Sequence, residues 1–186
     1  VWFWAIDGPP ILVVVLNEAW QDQYQRMQRS LTRLQAGVEA DAAEARDALY
    51  HFWQDAWHLR DWITAPPSPK YLEKETRQLF EDSVALGACR DIANGVKHLL
   101  LDRGKSWTES GEYAEVSGQS VVINMPRIEA VVNWSTGEIL SNESVGDSSV
   151  RYSWTVRVNG ADCDAVELAG QAVDDWNAWL TEKGLL

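Results

Sequence analysis

The hydrophobic rhythm of the chain changes once, and that change sets what it can become. Up to about residue 102, apolar residues recur every three or four positions, the repeat of a helix with one face inward. Residues 112–158 alternate instead and are rich in Val, Ile, Thr, Ser and Trp, the repeat of strands. Helices followed by a run of strands point to an α+β protein rather than to alternating α/β units. The expected fold is an N-terminal antiparallel helical bundle, a small antiparallel β-sheet, and a C-terminal helix packed back on it.

Local signals divide the chain further. Residues 1–16 read as an apolar arm, 17–103 as the bundle, and 104–186 as the sheet subdomain with its closing helix. Asn17 caps a first helix that Gly37 stops, with Trp20, Tyr24, Met27, Leu31 and Leu34 as its stripe. A second helix opens at Asp41 and ends near Ile63, before Ala65-Pro66-Pro67. Its stripe is Ala45, Ala48, Leu49, Phe52, Ala56, Leu59 and Ile63. Trp53, Trp57 and Trp62 widen it almost all the way round, as suits a central helix.

Ser68-Pro69 begins a third helical region, 69–102, with a break near Asp82-Ser83. Its second half carries the stripe Ala85, Cys89, Ile92, Val96, Leu99. Strands are expected over Tyr113–Val116, Ser120–Asn124, Ile128–Trp134, Glu138–Leu140 and Val150–Val158. Ser117-Gly118 reads as a turn and Ser141–Ser149 as a polar loop. Ser135-Thr136-Gly137 and Asn159-Gly160 are further turn signals. Asp164 with Glu167 three residues on opens the last helix, which Gly184 ends.

Charge narrows the partners. Acids outnumber bases 28 to 16, a formal net charge of −12. Stable DNA binding through phosphates calls for a basic face and is not expected. Acidity leaves room for a basic protein partner, and for an RNA held at one local cationic patch. Two cysteines, Cys89 and Cys163, make no disulfide framework and suit a reduced, cytoplasmic protein. The longest apolar run, Ile11–Leu16, is too short to span a bilayer, and it lacks the flanks of a signal peptide. No membrane association is expected.

Eleven tryptophans is a high share. Trp20, Trp53, Trp57, Trp176 and Trp179 sit on helical stripes, which favours core packing over a ligand pocket or a stacking surface for bases. Trp107, Trp134 and Trp154 fall among the strands and would share one sheet face.

The chemistry-bearing residues concentrate in Tyr50–Trp62 and Arg90–His98, which hold all three histidines. At about 100° per residue, His51, Asp55, His58 and Trp62 share one flank of the second helix. Asp91, Asn94 and His98 likewise share one flank of the third helical region. Facing flanks would bring imidazoles, acids and an amide together. Three readings are open. The groups tie helices together by hydrogen bonds, in a non-enzymatic interaction protein. They perform acid–base chemistry, with Arg90 or Lys97 holding a phosphate. Or they bind a divalent transition metal such as zinc, nickel or iron. His51 and His58 lie two turns apart, about 10.5 Å along the axis. The feasible metal set is therefore Asp55, His58 and His98. No Gly-rich phosphate loop and no GxSxG nucleophile elbow is present in the sequence.

Arg90-Asp91 followed by His98 in a helical core resembles the HEPN superfamily of bacterial defence and toxin ribonucleases, over roughly residues 17–102. That motif is an Arg, often followed by Asp or Asn, with a His after four to six residues. Here seven residues separate Arg90 from His98. The resemblance implies a metal-independent endoribonuclease whose site forms across a homodimer. Arg90 and His98 would be the active pair, Asp91 or Asn94 would polarise them, and His58 would stand nearby. The block Asp91–His98 also resembles a segment of a bacterial protein family, which implies no activity.

Overall fold

The computed structural model describes residues 18–36, 42–66, 68–97, 113–125, 127–146 and 149–186. The apolar arm of 1–16, Asn17, Gly37, Asp41, His98, Leu99 and Trp107 lie outside the described residues. Four helices come first: α1 (Trp20–Gln35), α2 (Ala42–Thr64), α3 (Tyr71–Asp82) and α4 (Val84–Lys97). Strands β1 (Glu115–Asn124), β2 (Arg127–Asn133), β3 (Glu138–Val145), β4 (Ser149–Val158) and β5 (Ala161–Asp164) follow, and α5 (Ala165–Glu182) closes the chain. The fold is α+β with a C-terminal helix, as the change of rhythm predicts.

α2 is the central helix. Its expected stripe is buried, and Trp53 is buried with it. α1 packs along it through Met27 and Leu34, and the Asp22 carboxylate accepts the Ala19 N–H at 2.7 Å to close the start of α1. The break between α3 and α4 falls at Ser83, which leaves the helical conformation. Its Oγ accepts the Leu86 N–H at 3.0 Å and so caps α4. The same hydroxyl donates to Asp175 on α5. α5 begins at Asp164, whose carboxylate accepts the N–H groups of Val166 and Glu167 at 2.8 and 3.0 Å.

Edge-to-face rings run through the interior, from Trp57 to Phe80 at 5.1 Å, then to Trp176 at 5.6 Å and Trp179 at 5.8 Å. The Trp176 indole donates to the Ala56 carbonyl at 3.1 Å, fixing α5 to α2. One hydrophobic core contains residues of all five helices together with Ala114, Trp154, Val156 and Val158. The sheet root and α5 therefore belong to the same core as the bundle.

The strands differ from expectation in three ways. The two segments expected over Tyr113–Val116 and Ser120–Asn124 fall in one strand, β1, which starts at Glu115. Ser117 is an extra residue in its ladder with β4, between Val116↔Val156 and Gly118↔Thr155, which is a bulge and not a turn. Second, β3 continues to Val145, through most of the segment read as a polar loop. Third, β5 pairs with β4 through a turn in which Asn159 (φ 51°) and Gly160 (φ 77°) both take positive φ, the pattern of a type I′ hairpin.

The strands nest. β1 pairs antiparallel with β4 as far as Asn124↔Ser149, and β2 pairs with β3 from Arg127↔Val145 onward. The β1–β4 ladder belongs to a three-stranded sheet of order β1-β4-β5 and the β2–β3 ladder is a separate two-stranded sheet; these two ladders together are the ribbon. Trp154, Val156 and Val158 anchor its root in the core. Beyond Gln119 the described side chains of β1, β2 and β3 are exposed apart from the half-buried Val132 and Asn133. Trp134 and Trp154 do not share a face: Trp154 is buried, and Trp134 stands at the far turn, 95% exposed.

Candidate functional site

The expected cluster lies on two helices, with His51, Asp55 and His58 on one flank of α2 and Arg90, Asp91 and Asn94 on α4. Asp55 turns to α1. Its carboxylate accepts from Ser30 Oγ at 2.6 Å and from Gln23 Nε2 at 3.2 Å, and its carbonyl also accepts from Gln23 Nε2 at 3.0 Å. Ser30 and Gln23 are both buried, so these bonds satisfy polar groups at the α1–α2 contact. His51 and His58 are exposed and stand on the same flank as Asp55.

Arg60 projects roughly 160° round the helix from His58, at about 100° per residue. Its guanidinium lies over the Trp57 ring, 5.1 Å from the centroid. It is also one of the charges felt by Arg90.

Arg90 and Asp91 occupy α4. Asp91 is 1% exposed. Its Oδ1 accepts from Arg90 Nη1 at 3.2 Å and its Oδ2 accepts the Ala114 N–H at 3.2 Å. This carboxylate therefore joins the last helix of the bundle to the residue that precedes β1. Burial pulls the Arg90 guanidinium below the usual arginine range. Asp91 and Tyr113 push it back up, and Arg60 and Arg77 add to the lowering. It stays charged, because arginine does not lose its proton in proteins. Arg77 is paired with Glu81 at 3.5 Å. Asn94 is half-buried on the same helix. Arg60 of α2, Arg77 of α3 and Tyr113 are thus charges that act on Arg90 of α4 besides Asp91.

Among the described residues no three of His, Cys, Asp and Glu gather as a metal-ligand set. Of the set Asp55, His58 and His98, the Asp55 carboxylate is engaged by Ser30 and Gln23, and His98 lies outside the described residues. Val96, expected on the buried stripe, is 46% exposed.

Two clefts lie elsewhere. One of about 420 Å³ opens between α1 and α2 and is lined by Arg26, Arg29, Ser30, Arg33, His51 and Asp55. The arginines recur at three and four positions along α1, a spacing legible in the sequence. The described histidines, His51 and His58, lie on α2 and so do not point to this row. A larger cleft of about 750 Å³ lies between α3, the start of α4 and α5. Its acids are Glu75, Asp82, Asp175 and Glu182. Lys183 Nζ sits 3.1 Å from Glu75 and 2.9 Å from Glu182, Asp175 accepts from Ser83, and Asp82 accepts from Gln78 Nε2 at 2.8 Å, so all four acids already have internal partners.

The most exposed apolar surface is the ribbon. Val121, Val122, Ile123 and Met125 on its near half, and Val131, Trp134, Ile139 and Leu140 on its far half, are 46–95% exposed. Glu129 and Glu143 stand directly opposite each other across β2 and β3, with Arg127 bonded to Glu129. Among the described residues no helix is long and apolar enough to cross a membrane. Compared with protein-family models, curated proteins and solved structures, the chain matches none.

Proposed function

We propose that this chain is a protein-interaction module in which the helical body carries the β ribbon to a partner. The supporting observation is Trp134, 95% exposed at the ribbon tip at the end of a series of exposed apolar side chains. A concentration of exposed apolar side chains of this kind marks interaction sites. A two-stranded ribbon is marginally stable by itself in water, and its open edges invite a further strand. A partner that covers the ribbon removes both difficulties.

Charge selects the kind of partner. Like charges opposed across a ladder destabilise it by roughly 0.2–1 kcal/mol. Glu129 and Glu143 are such a pair, in a chain of net charge −12. The matching segment is therefore apolar with Lys or Arg placed to meet them. Cys89 and Cys163 are both free, which fits a partner met in the reducing cytoplasm.

The test replaces Trp134 with a photo-crosslinking amino acid, irradiates living cells and identifies the adduct. The captured protein is then purified and titrated. Trp134→Ser should weaken binding by about 30-fold, the effect of a 2 kcal/mol hot spot. Added salt should weaken it further. Adducts to the chain itself alone, or equal binding by Trp134→Ser, would refute the reading.

A second reading is a HEPN-like endoribonuclease that acts as a homodimer, with Arg90 and His98 as the active pair. It is favoured by the adjacent pair Arg90 and Asp91 on α4, bonded at 3.2 Å, which matches the start of the family's motif. RNA incubated with the protein and with Arg90→Ala and His98→Ala tests it. Equal cleavage, or none by any of the three, removes it.

A further inference from the structure

We propose that the cleft between α1 and α2 binds the phosphate group of a small ligand, held by Arg29 and Arg33 of α1 with His51 of α2 opposite. Arg29 and Arg33, like Arg46, Arg60 and Arg151, have no ion-pair partner among the described residues, and these two line the cleft. Arg26, Arg77, Arg90, Arg127 and Arg157 each have a carboxylate within ion-pair distance. Arg29 and Arg33 are exposed, in a chain whose acids outnumber its bases 28 to 16. They stand four apart on α1, where like charges repel by a few tenths of a kcal/mol. Arg26, bonded to Glu18 and to Gln23 Oε1, continues the row at the next turn.

The cleft is concave and of about 420 Å³, within the range of small-molecule sites. Its sides carry the donors a phosphate needs: two guanidinium forks and an imidazole. Its one carboxylate, Asp55, is already occupied by two α1 donors, Ser30 Oγ at 2.6 Å and Gln23 Nε2 at 3.2 Å. The anion is placed at the exposed arginines, away from that carboxylate. The side chains that would hold it take no part in the core, so the site can be dismantled without unfolding the protein.

Isothermal titration of the full chain would use inorganic phosphate, ribose 5-phosphate and sodium chloride at matched ionic strength. A 5′-hydroxyl oligoribonucleotide forms a fourth arm. Saturable binding of inorganic phosphate, ribose 5-phosphate or both is expected, with none for chloride, and the stronger of the two identifies a free phosphate or a monoester. Arg29→Gln with Arg33→Gln should weaken it at least tenfold while leaving the melting temperature unchanged. No saturable phosphate binding, or binding unchanged by the double substitution, would overturn the site. Tighter binding of the oligoribonucleotide that the same substitutions abolish would also overturn it, in favour of a nucleic-acid surface.

Discussion

Replacing Asp91 tests the joint between the helices and the strands. Its carboxylate is 1% exposed and accepts from Arg90 and from the Ala114 N–H, both at 3.2 Å. Asp91→Ala strips the Ala114 amide of this acceptor, at about 1–3 kcal/mol for a buried unsatisfied group. It also removes the Asp91 side of the Arg90–Asp91 ion pair, and breaking a buried pair costs about 3–5 kcal/mol. The Arg90 side chain is 15% exposed and recovers part of that by turning to water, so the two costs do not add. The expected loss is about 3–4 kcal/mol, or roughly 10 °C in a chain of this size. Asp91→Asn keeps an acceptor for the amide and should cost about 2 kcal/mol. Urea unfolding followed by tryptophan fluorescence measures both, and Arg90→Met with Asp91→Ala should lose less than the two single changes summed. If Asp91→Ala stays within 1 kcal/mol of the parent, the joint is elsewhere. Asp91 would then be free to serve as the polarising partner of Arg90 that the ribonuclease reading requires.

Other outcomes follow from the same geometry. Asp164→Ala removes the cap of α5 and should cost about 1 kcal/mol in the same unfolding assay. Trp134→Ser should leave stability within about 0.5 kcal/mol, because the side chain touches water and not the core. Cys163 should react with a thiol reagent in the native protein while Cys89 should not, since Cys89 is fully buried. Burial, helped by the charge of Asp175, pushes the Cys89 thiol well above its ordinary range, against the lowering effect of a backbone hydrogen bond. The unfolded chain releases that proton near pH 8.5 and the folded chain does not. Stability is therefore full below that pH and falls above it by up to about 1.4 kcal/mol per pH unit, a slope that Cys89→Ala should remove.

What the sequence revealed and what it hid have physical causes. The stripe of α2 was legible because burial on one helix face leaves a repeat of three and four residues. The break at Ser83 was legible because a hydroxyl before a new helix is a cap. Alternation finds strands with one buried face, and β4 with its buried Trp154, Val156 and Val158 was found that way. It misses strands whose faces are both exposed, which is why Ser141–Val145 read as a loop although it completes β3. Ser117-Gly118 carries the residues of a turn, and the bulge uses them differently. A Cβ at Gly118 would lie 3.4 Å from the Thr155 Cβ, so the two strands pass closely there. Periodicity placed His58, Asp55, Asp91 and Asn94 on helix flanks but could not say which neighbour each flank meets. Asp55 meets Ser30 and Gln23 of α1, and the flank carrying Arg60 lies toward Arg90.

Asn124 and Ser149 are partners across one rung, so the two dozen residues between them leave and return at one point. Lengthening, shortening or exchanging that loop of chain asks nothing of the helices beneath. Changes in that segment and the upkeep of the fold can therefore be selected separately, and a two-residue Asn-Gly splice at that rung should yield a body that still folds.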